Sequence, residues 1–299
     1  MATGQFDLPV TFINSPEALA DALPYWFDAN ILAVDIECSL TGFHHCVLAL
    51  LQVATHNRVW LIDPFSVPKL MKSALIAMSH TPWIVHDFSG DGIVFKRVYD
   101  VVPNSVMDTM LLSKKLGYLQ PGLKNMTKTK LGLDIPKDEQ DSNWIYRPLR
   151  ETQISYAARD VAVLLPLLRT LADEVEIKRT DSIVGPQLAL LPLEMKHLMN
   201  KIRHYQVPES DAVLDKIRRL RLGAVALLTA KKITNLRHHW GNLGDVAAVM
   251  ELSNRWIIAR LQSPPKTKDD LIKSISNPHF PRAHIDDLWN VFSNISLYT

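Results

Sequence analysis

Cysteine is scarce in this chain, since only Cys38 and Cys46 occur among its 299 residues. A scaffold held together by several disulfides is therefore excluded, and we interpret the pair as free thiols in a reducing compartment. Two cysteines would also allow one disulfide between them. Their spacing, with two histidines in between, fits no common zinc-finger pattern, so we do not expect a structural zinc site.

Long hydrophobic runs are also missing, because no apolar stretch approaches the ~20 residues that span a bilayer. The opening sequence, MATGQFDLPVTF, lacks the basic region and hydrophobic core of a secretion signal. We therefore expect a cytoplasmic protein without a membrane partner. A hydrophobic content of 47% and a charged content of 21% are typical of an ordinary globular protein.

Charge is divided unevenly along the chain although its net value is only +2. Residues 1–180 hold 17 Lys and Arg against 20 Asp and Glu, and residues 181–299 hold 16 against 11. The basic excess is concentrated between Lys216 and Trp240, where seven basic residues occur without an acid. This segment is either the solvated face of a helix or a surface for a polyanion.

Strand and helix patterns alternate over the first 180 residues. Short apolar runs predict five strands: NILAVDIE, VLALLQVAT, RVWLID, PWIVHDF and NSVMDT. Segments of helical period lie between and after them, including VPKLMKSALIAM and ISYAARDVAVLL. This arrangement indicates an α/β domain with a mixed sheet over residues 1–180, followed by a smaller all-α domain over residues 181–299.

Acidic residues occur where these elements would turn them inward. Asp35 and Glu37 are two apart at the end of a strand, so both project from one face. Asp91 follows the fourth strand near the start of a helix. Tyr156 and Asp160 are four apart on a helix, in a row that becomes apolar one turn later. Buried carboxylates need a cation, a donor or a metal to offset their lost hydration.

Four carboxylates without a cysteine partner or a tight histidine cluster favour hard, oxygen-preferring ions such as Mg²⁺ or Mn²⁺. Two such ions about 4 Å apart can activate a water and stabilise a leaving oxygen in phosphoryl displacement. The hydroxyl of Tyr156 could then set the angle of the attacking water.

Four motifs in order, VDIE, VHDFSGD, VMDTML and YAARDV, resemble those of ribonuclease D and its relatives, the DEDDy group of 3′-to-5′ exonucleases. The resemblance covers roughly residues 8–175. It implies a ribonuclease-H-like, mixed five-stranded sheet flanked by helices. It also implies that Tyr156 positions a water and that the metal ligands are Asp35, Glu37, Asp91 and Asp160. Beyond residue 190, LSNRWIIARLQSPPKTKDDLIKSISNP is weakly similar to one helicase-and-ribonuclease-D C-terminal domain.

The resemblance leads us to expect a two-metal 3′-5′ exoribonuclease that releases nucleoside 5′-monophosphates from unpaired RNA 3′ ends. Transfer-RNA precursors are the expected kind of substrate, and a monomer is the expected state. Three alternatives are a DNA exonuclease with the same chemistry, a non-catalytic RNA-binding adaptor and an enzyme that removes very short RNA fragments. The complete set of acids argues against the adaptor, and Tyr156 argues against the last, whose known examples have histidine there.

Four further residues are candidates for substrate contacts. Trp144 and Arg147 precede the Tyr156 helix and would stack on or clamp the terminal nucleotide, although Trp144 would equally serve to anchor its loop. His86 would touch a phosphate or lie satisfied in the core, and Lys137 would counter phosphate charge or be solvated. We expect Asp108 to cap a helix rather than to bind metal.

Overall fold

The computed structural model describes residues 8–40, 46–135, 138–205, 212–242, 248, 251–277 and 280–294. The chain divides into two units, with the main boundary after Tyr205.

The first unit is built on a mixed sheet in which six strands are described, ordered β1-β4-β3-β2-β5-β6. β1 is parallel to β4, β3 is antiparallel to β4, and β5 is parallel to both β2 and β6. The strands are β1 (Val10–Ile13), β2 (Leu32–Leu40), β3 (Cys46–Ala54), β4 (Val59–Ile62), β5 (Trp83–Val85) and β6 (Val106–Asp108). The α/β class is therefore confirmed.

One strand more is present than the five expected, because β1 also joins the sheet. It is a four-residue edge strand, and only Ile13 of its residues is buried. A short edge strand with one buried side chain carries too little hydrophobic pattern to be recognised. All four residues of the neighbouring strand β4 are buried, so that strand reads as a continuous apolar run.

Eight helices are described in the first unit, and their apolar sides pack onto the sheet or onto one another. α3 continues as a π-helical turn over Phe95–Tyr99. The helices are α1 (Pro16–Asp28), α2 (Met71–Met78), α3 (Phe88–Val94), α4 (Thr109–Lys115), α5 (Leu123–Leu131), α6 (Glu151–Ala162), α7 (Leu164–Lys178) and α8 (Val184–Arg203).

The position of α8 moves the boundary between the units from residue 180 to Tyr205. Leu188 of this helix joins a buried cluster with Leu112 of α4 and Leu167 of α7. Gly185 and Pro186 lie in the first turn of α8, where proline is tolerated because its missing N–H would have no partner.

Every element described after Tyr205 is a helix, as expected for the smaller domain. These helices are α9 (Ala212–Arg219), α10 (Gly223–Asn242), α11 (Asn254–Gln262), α12 (Lys268–Lys273) and α13 (Ala283–Ser293). They enclose a separate hydrophobic core around residues such as Ile217, Ile233, Ile257 and Leu288. Among the residues that the structure describes, no helix is both long and apolar enough to cross a membrane.

Candidate active site

Strand β2 carries the first two acids on one face. Val34 and Ile36 point to the other face and are buried, so the alternation of the strand directs Asp35 and Glu37 away from that core. The backbone N–H of Ile36 donates to Oδ1 of Asp35 at 3.0 Å. The two carboxylates therefore share the face that their spacing predicted.

The third acid, Asp91, lies in the first turn of α3, and Asp108 fixes where that helix begins. The Asp108 carboxylate accepts from the backbone N–H groups of Asp87 at 3.1 Å and of Phe88 at 3.0 Å. The same carboxylate caps α4 by accepting from the N–H of Met110 at 2.9 Å. The capping role predicted for Asp108 is confirmed, and this buried side chain also ties together the starts of two helices.

Next to Asp91, a glycine allows close packing of α3. A Cβ added at Gly92 would lie 2.5 Å from Cδ1 of Ile202 in α8 and 2.9 Å from Cε1 of Phe88. Because such distances are shorter than van der Waals contact, a side chain at this position would force Ile202 and Phe88 to shift. The backbone that carries Asp91 is thereby held against α8.

Helix α6 supplies the remaining carboxylate and the tyrosine. Asp160 is 8% exposed, and Tyr156, one turn earlier, is hydrogen-bonded to it. The ring of Tyr156 packs against Trp144, with 6.0 Å between the ring centroids and a 44° angle between the planes. The inward row that the helical spacing predicted is therefore present.

Electrostatic repulsion links Glu37 to the other three carboxylates. Burial, together with the charges of Asp35, Asp160 and Asp91, raises the pKa of Glu37 to about 10. Burial and the charge of Asp160 likewise raise the pKa of Asp35 to about 7. Acids from β2, α3 and α6 thus lie close enough to oppose one another's ionisation.

The phenol of Tyr156 stays protonated throughout the physiological range. Burial raises its pKa first, followed by the charge of Asp160, the hydrogen bond to Asp160 and the charges of Glu37 and Asp35. A neutral hydroxyl both donates and accepts hydrogen bonds. Tyr156 is therefore suited to orienting a polar group beside the carboxylates rather than to removing a proton as a phenolate.

The chemistry of the donor set matches a hard divalent cation. The four side chains offer only carboxylate oxygens, which Mg²⁺ and Mn²⁺ prefer, and a cation would offset their repulsion. Within the described ranges, no three acidic, histidine or cysteine side chains are close enough together to form a preformed metal cage.

Gln52 of β3 also contacts one of the acids, and this residue was not predicted from the sequence. Its Nε2 donates to Oε1 of Glu37 at 3.5 Å, and its side chain is completely buried. A signal was available in VLALLQVA, where one amide interrupts an otherwise apolar strand. Buried polar side chains normally have a partner, so such an interruption indicates a specific contact.

Trp144 and Arg147 anchor their loop in this structure. Trp144 is 1% exposed and lies in the hydrophobic cluster beneath α6, which matches the anchoring alternative and leaves no ring face for stacking on a base. Arg147 donates to both oxygens of Asp63 and to the carbonyl oxygens of Ala49, Trp144 and Tyr146. Its guanidinium is thus committed to protein groups rather than to a nucleotide.

His86 also lies within the fold. Its Nδ1 is 2.8 Å from Oγ1 of Thr109, the first residue of α4. Burial lowers the pKa of His86, although the nearby charges of Asp108 and Asp87 partly oppose this shift. The lowered pKa makes this imidazole poorly suited to act as a phosphate-binding cation. It is not the fully satisfied core histidine of the other alternative either, because the side chain is half-buried and its Nε2 lacks a hydrogen-bond partner among the described residues. Lys137 lies outside the described residues.

A family model described as 3′-5′ exonuclease matches residues 10–176. The chain therefore belongs to the 3′-5′ exonuclease family. The motif resemblance to the ribonuclease D group is confirmed by relatives of that name.

Two of these relatives define how much of the chain is matched. Identity to ribonuclease D of Haemophilus influenzae is 34% over 148 residues, which cover 49% of this chain and 37% of that protein. Identity to ribonuclease D of Escherichia coli is 29% over 261 residues, which cover 83% of this chain and 65% of that protein. The chain thus spans less than two thirds of the length of either relative.

Solved structures share the fold over nearly the whole chain. The crystal structure of Escherichia coli RNase D matches with a TM-score of 0.59 and 23% identity, covering 97% of this chain and 76% of that one. The catalytic core of RRP6 from Trypanosoma brucei matches with a TM-score of 0.66 and 18% identity. This match covers 100% of this chain and 82% of that one.

Proposed function

We propose that this chain is a metal-dependent 3′-5′ exoribonuclease that releases nucleoside 5′-monophosphates from unpaired RNA 3′ ends. The observation that carries the proposal is the meeting of four mutually repelling carboxylates from β2, α3 and α6 beside a neutral tyrosine. It supports this reaction because the chain belongs to the 3′-5′ exonuclease family.

Two Mg²⁺ or Mn²⁺ ions would be held by the four carboxylates. Such ions, when bound, lower the pKa of a water and stabilise the charge on a leaving oxygen. The protein's part is to fix the ligands on rigid elements. The ligand set is Asp35, Glu37, Asp91 and Asp160.

Tyr156 would orient the attacking water through its neutral hydroxyl. Its hydrogen bond to Asp160 and its packing on the buried ring of Trp144 restrict its position. Holding the nucleophile in line lowers the barrier because orientation is fixed before reaction. We assign to His86, Trp144 and Arg147 the support of this arrangement and not direct contact with RNA.

RNA is the proposed substrate because proteins with the same fold act on RNA or have been crystallised with it. Escherichia coli RNase D is described as an exoribonuclease involved in structured RNA processing, and Trypanosoma brucei RNase D has been crystallised in complex with the RNA U12. We propose by analogy that this chain trims structured precursors of the transfer-RNA kind and works as a monomer. The second unit would act as one helicase-and-ribonuclease-D C-terminal domain, with the exposed basic side chains of Lys216–Trp240 facing the RNA backbone. Arg237 of this segment is not among them, because it is buried and donates to the carbonyl oxygen of Leu252.

Single-stranded DNA is the alternative substrate, since the carboxylates act on the phosphodiester that both polymers share. Cleavage of an end-labelled RNA and of the matching DNA, each incubated with Mg²⁺, Mn²⁺ or excess chelator, distinguishes these two substrates. We expect a ladder that shortens from the 3′ end of RNA and disappears with chelator and in Asp35→Ala. Asp173→Ala, at an exposed position of α7, is the matched control and should retain activity.

A faster reaction on DNA would replace the RNA assignment. Salt-sensitive RNA binding by folded, metal-supplied protein without any cleavage would instead identify a non-catalytic adaptor.

A further inference from the structure

Gln52 is a polar side chain enclosed in the centre of the sheet. It lies in β3, next to β2, and it is 0% exposed. The residues before and after it in the strand, including Leu50, Leu51 and Val53, are buried hydrophobics. An apolar side chain of the same length would satisfy this environment without any hydrogen bond.

The amide is incompletely paired where it lies. Its Nε2 contacts Oε1 of Glu37 at 3.5 Å, which is at the long end for a hydrogen bond, and its Oε1 is buried without a hydrogen-bond partner. Burying such groups costs free energy, so Gln52 is a poor residue for stability alone. Among the described residues, the one hydrogen bond of its side chain is the bond to Glu37.

A neutral amide suits this position better than a charged group. A lysine or arginine would neutralise Glu37 and compete with a divalent cation, whereas a further carboxylate would add repulsion. An amide N–H holds one carboxylate oxygen and leaves the negative charge available. Groups that hydrogen-bond to a metal ligand in this way fix the orientation in which the ligand coordinates the metal.

We propose that Gln52 is a positioning residue that orients the Glu37 carboxylate for metal binding. The inference rests on the proposed function, because it assigns Glu37 to the metal site. It goes beyond that function in giving a role to a side chain of β3 that lies outside the proposed ligand set.

The test replaces Gln52 by methionine, which keeps an unbranched side chain of similar length and removes the donor. Binding of Mn²⁺ is followed by the rise in the unfolding midpoint as Mn²⁺ is added. We expect Gln52→Met to need about 10- to 100-fold more Mn²⁺ than the parent for the same rise. Without metal, its unfolding midpoint should equal or exceed that of the parent.

Kinetics give a second readout that a packing defect would not produce. The Mn²⁺ concentration for half-maximal RNA cleavage should rise in Gln52→Met, while the KM for RNA stays unchanged. Gln52→Asn, one methylene shorter, should show the same shift because its amide no longer reaches Glu37. This second variant keeps the test decisive if methionine prevents folding.

Leu51→Met is the matched control, since Leu51 is buried in the same strand and points to the opposite face. It should retain the Mn²⁺ dependence of the parent. The proposal would be overturned if the parent and Gln52→Met needed the same Mn²⁺ concentration for the same rise in unfolding midpoint. It would also be overturned if the parent bound no Mn²⁺. A parent that binds Mn²⁺ more tightly than Gln52→Met but cleaves no RNA would support the positioning role while refuting the proposed function.

Discussion

Arg147 forms a two-pronged ion pair with Asp63: Nε lies 3.1 Å from Oδ2, and Nη2 lies 2.9 Å from Oδ1. The residues are 84 positions apart in the chain. Nη2 also reaches the carbonyl oxygen of Ala49 in β3 at 2.6 Å. This guanidinium therefore joins the loop before α6 to two places on the sheet, and it helps to set where Tyr156 and Asp160 lie.

Replacing Arg147 by methionine should destabilise the protein, because the Asp63 carboxylate is nearly buried and would lose its ionic partner, although it would keep hydrogen bonds from the Phe65 N–H and the Ser66 hydroxyl. We expect a loss of about 3 kcal/mol in the free energy of unfolding, at the low end for a buried pair because a quarter of the arginine side chain is exposed. Urea titration measures it. Arg147→Lys should be intermediate, since lysine keeps the charge without the fork. A stable Arg147→Met protein with weakened RNA affinity would instead indicate a nucleotide clamp.

Removing the hydroxyl of Tyr156 should slow cleavage without loosening binding. Tyr156→Phe keeps the ring that packs on Trp144 and removes the group bonded to Asp160. We expect kcat to fall by about 100-fold or more, with unchanged RNA affinity. Single-turnover kinetics with separate RNA-binding measurements test this. The control is Tyr146→Phe, at a position 70% exposed in the loop before α6, and an equal effect of both variants would contradict the assignment.

Stability of the metal-free protein should depend on the ionisation of Asp35. Its pKa is 3.8 ordinarily and about 7 in the folded protein, so the folded state binds this proton more tightly than the unfolded chain does. This contribution is fully present below pH 3.8 and is lost as the pH rises to about 7. In chelator, Asp35→Asn should therefore gain stability relative to the parent between pH 5 and pH 7 or so.

Thermal unfolding across that pH range measures this difference. Divalent cations should reduce the gain, because they stabilise the ionised carboxylate of the parent. Asp173→Asn, exposed on α7, should show no such trend. A constant difference between Asp35→Asn and the parent would mean that burial and the charge of Asp160 do not raise the pKa of Asp35 in the folded protein.

Two neighbouring glycines of α3 should respond oppositely to alanine. A Cβ at Gly92 would meet Ile202 at 2.5 Å, whereas a Cβ at Gly90 would meet nothing within 4 Å. We expect Gly92→Ala to cost about 1–3 kcal/mol of unfolding free energy through overpacking and to reduce activity by shifting Asp91. Gly90→Ala should be neutral or stabilising by up to about 1 kcal/mol, because alanine favours helix. Equal unfolding midpoints for the two variants would contradict the close packing.

The acid set was predictable because short-range spacing decides which way side chains point. Asp35 and Glu37 share a face since a strand alternates, and Tyr156 and Asp160 share a face since a helix turns every 3.6 residues. The helical cap at Asp108 was predictable for the same local reason. The roles considered for Trp144, Arg147 and His86 were not decided by their sequence neighbours, because each depends on groups that the fold brings to them.

By itself, the sequence determined the α/β class of the first unit, most of its strands and the faces on which the acids stand, since these follow from local periodicity. Only the tertiary structure decided that β1 joins the edge of the sheet, that α8 belongs to the first unit and that Gln52 reaches Glu37. It also decided the pairing of Arg147 with Asp63. These outcomes depend on contacts between residues far apart in the chain, and such contacts form only when the elements pack together.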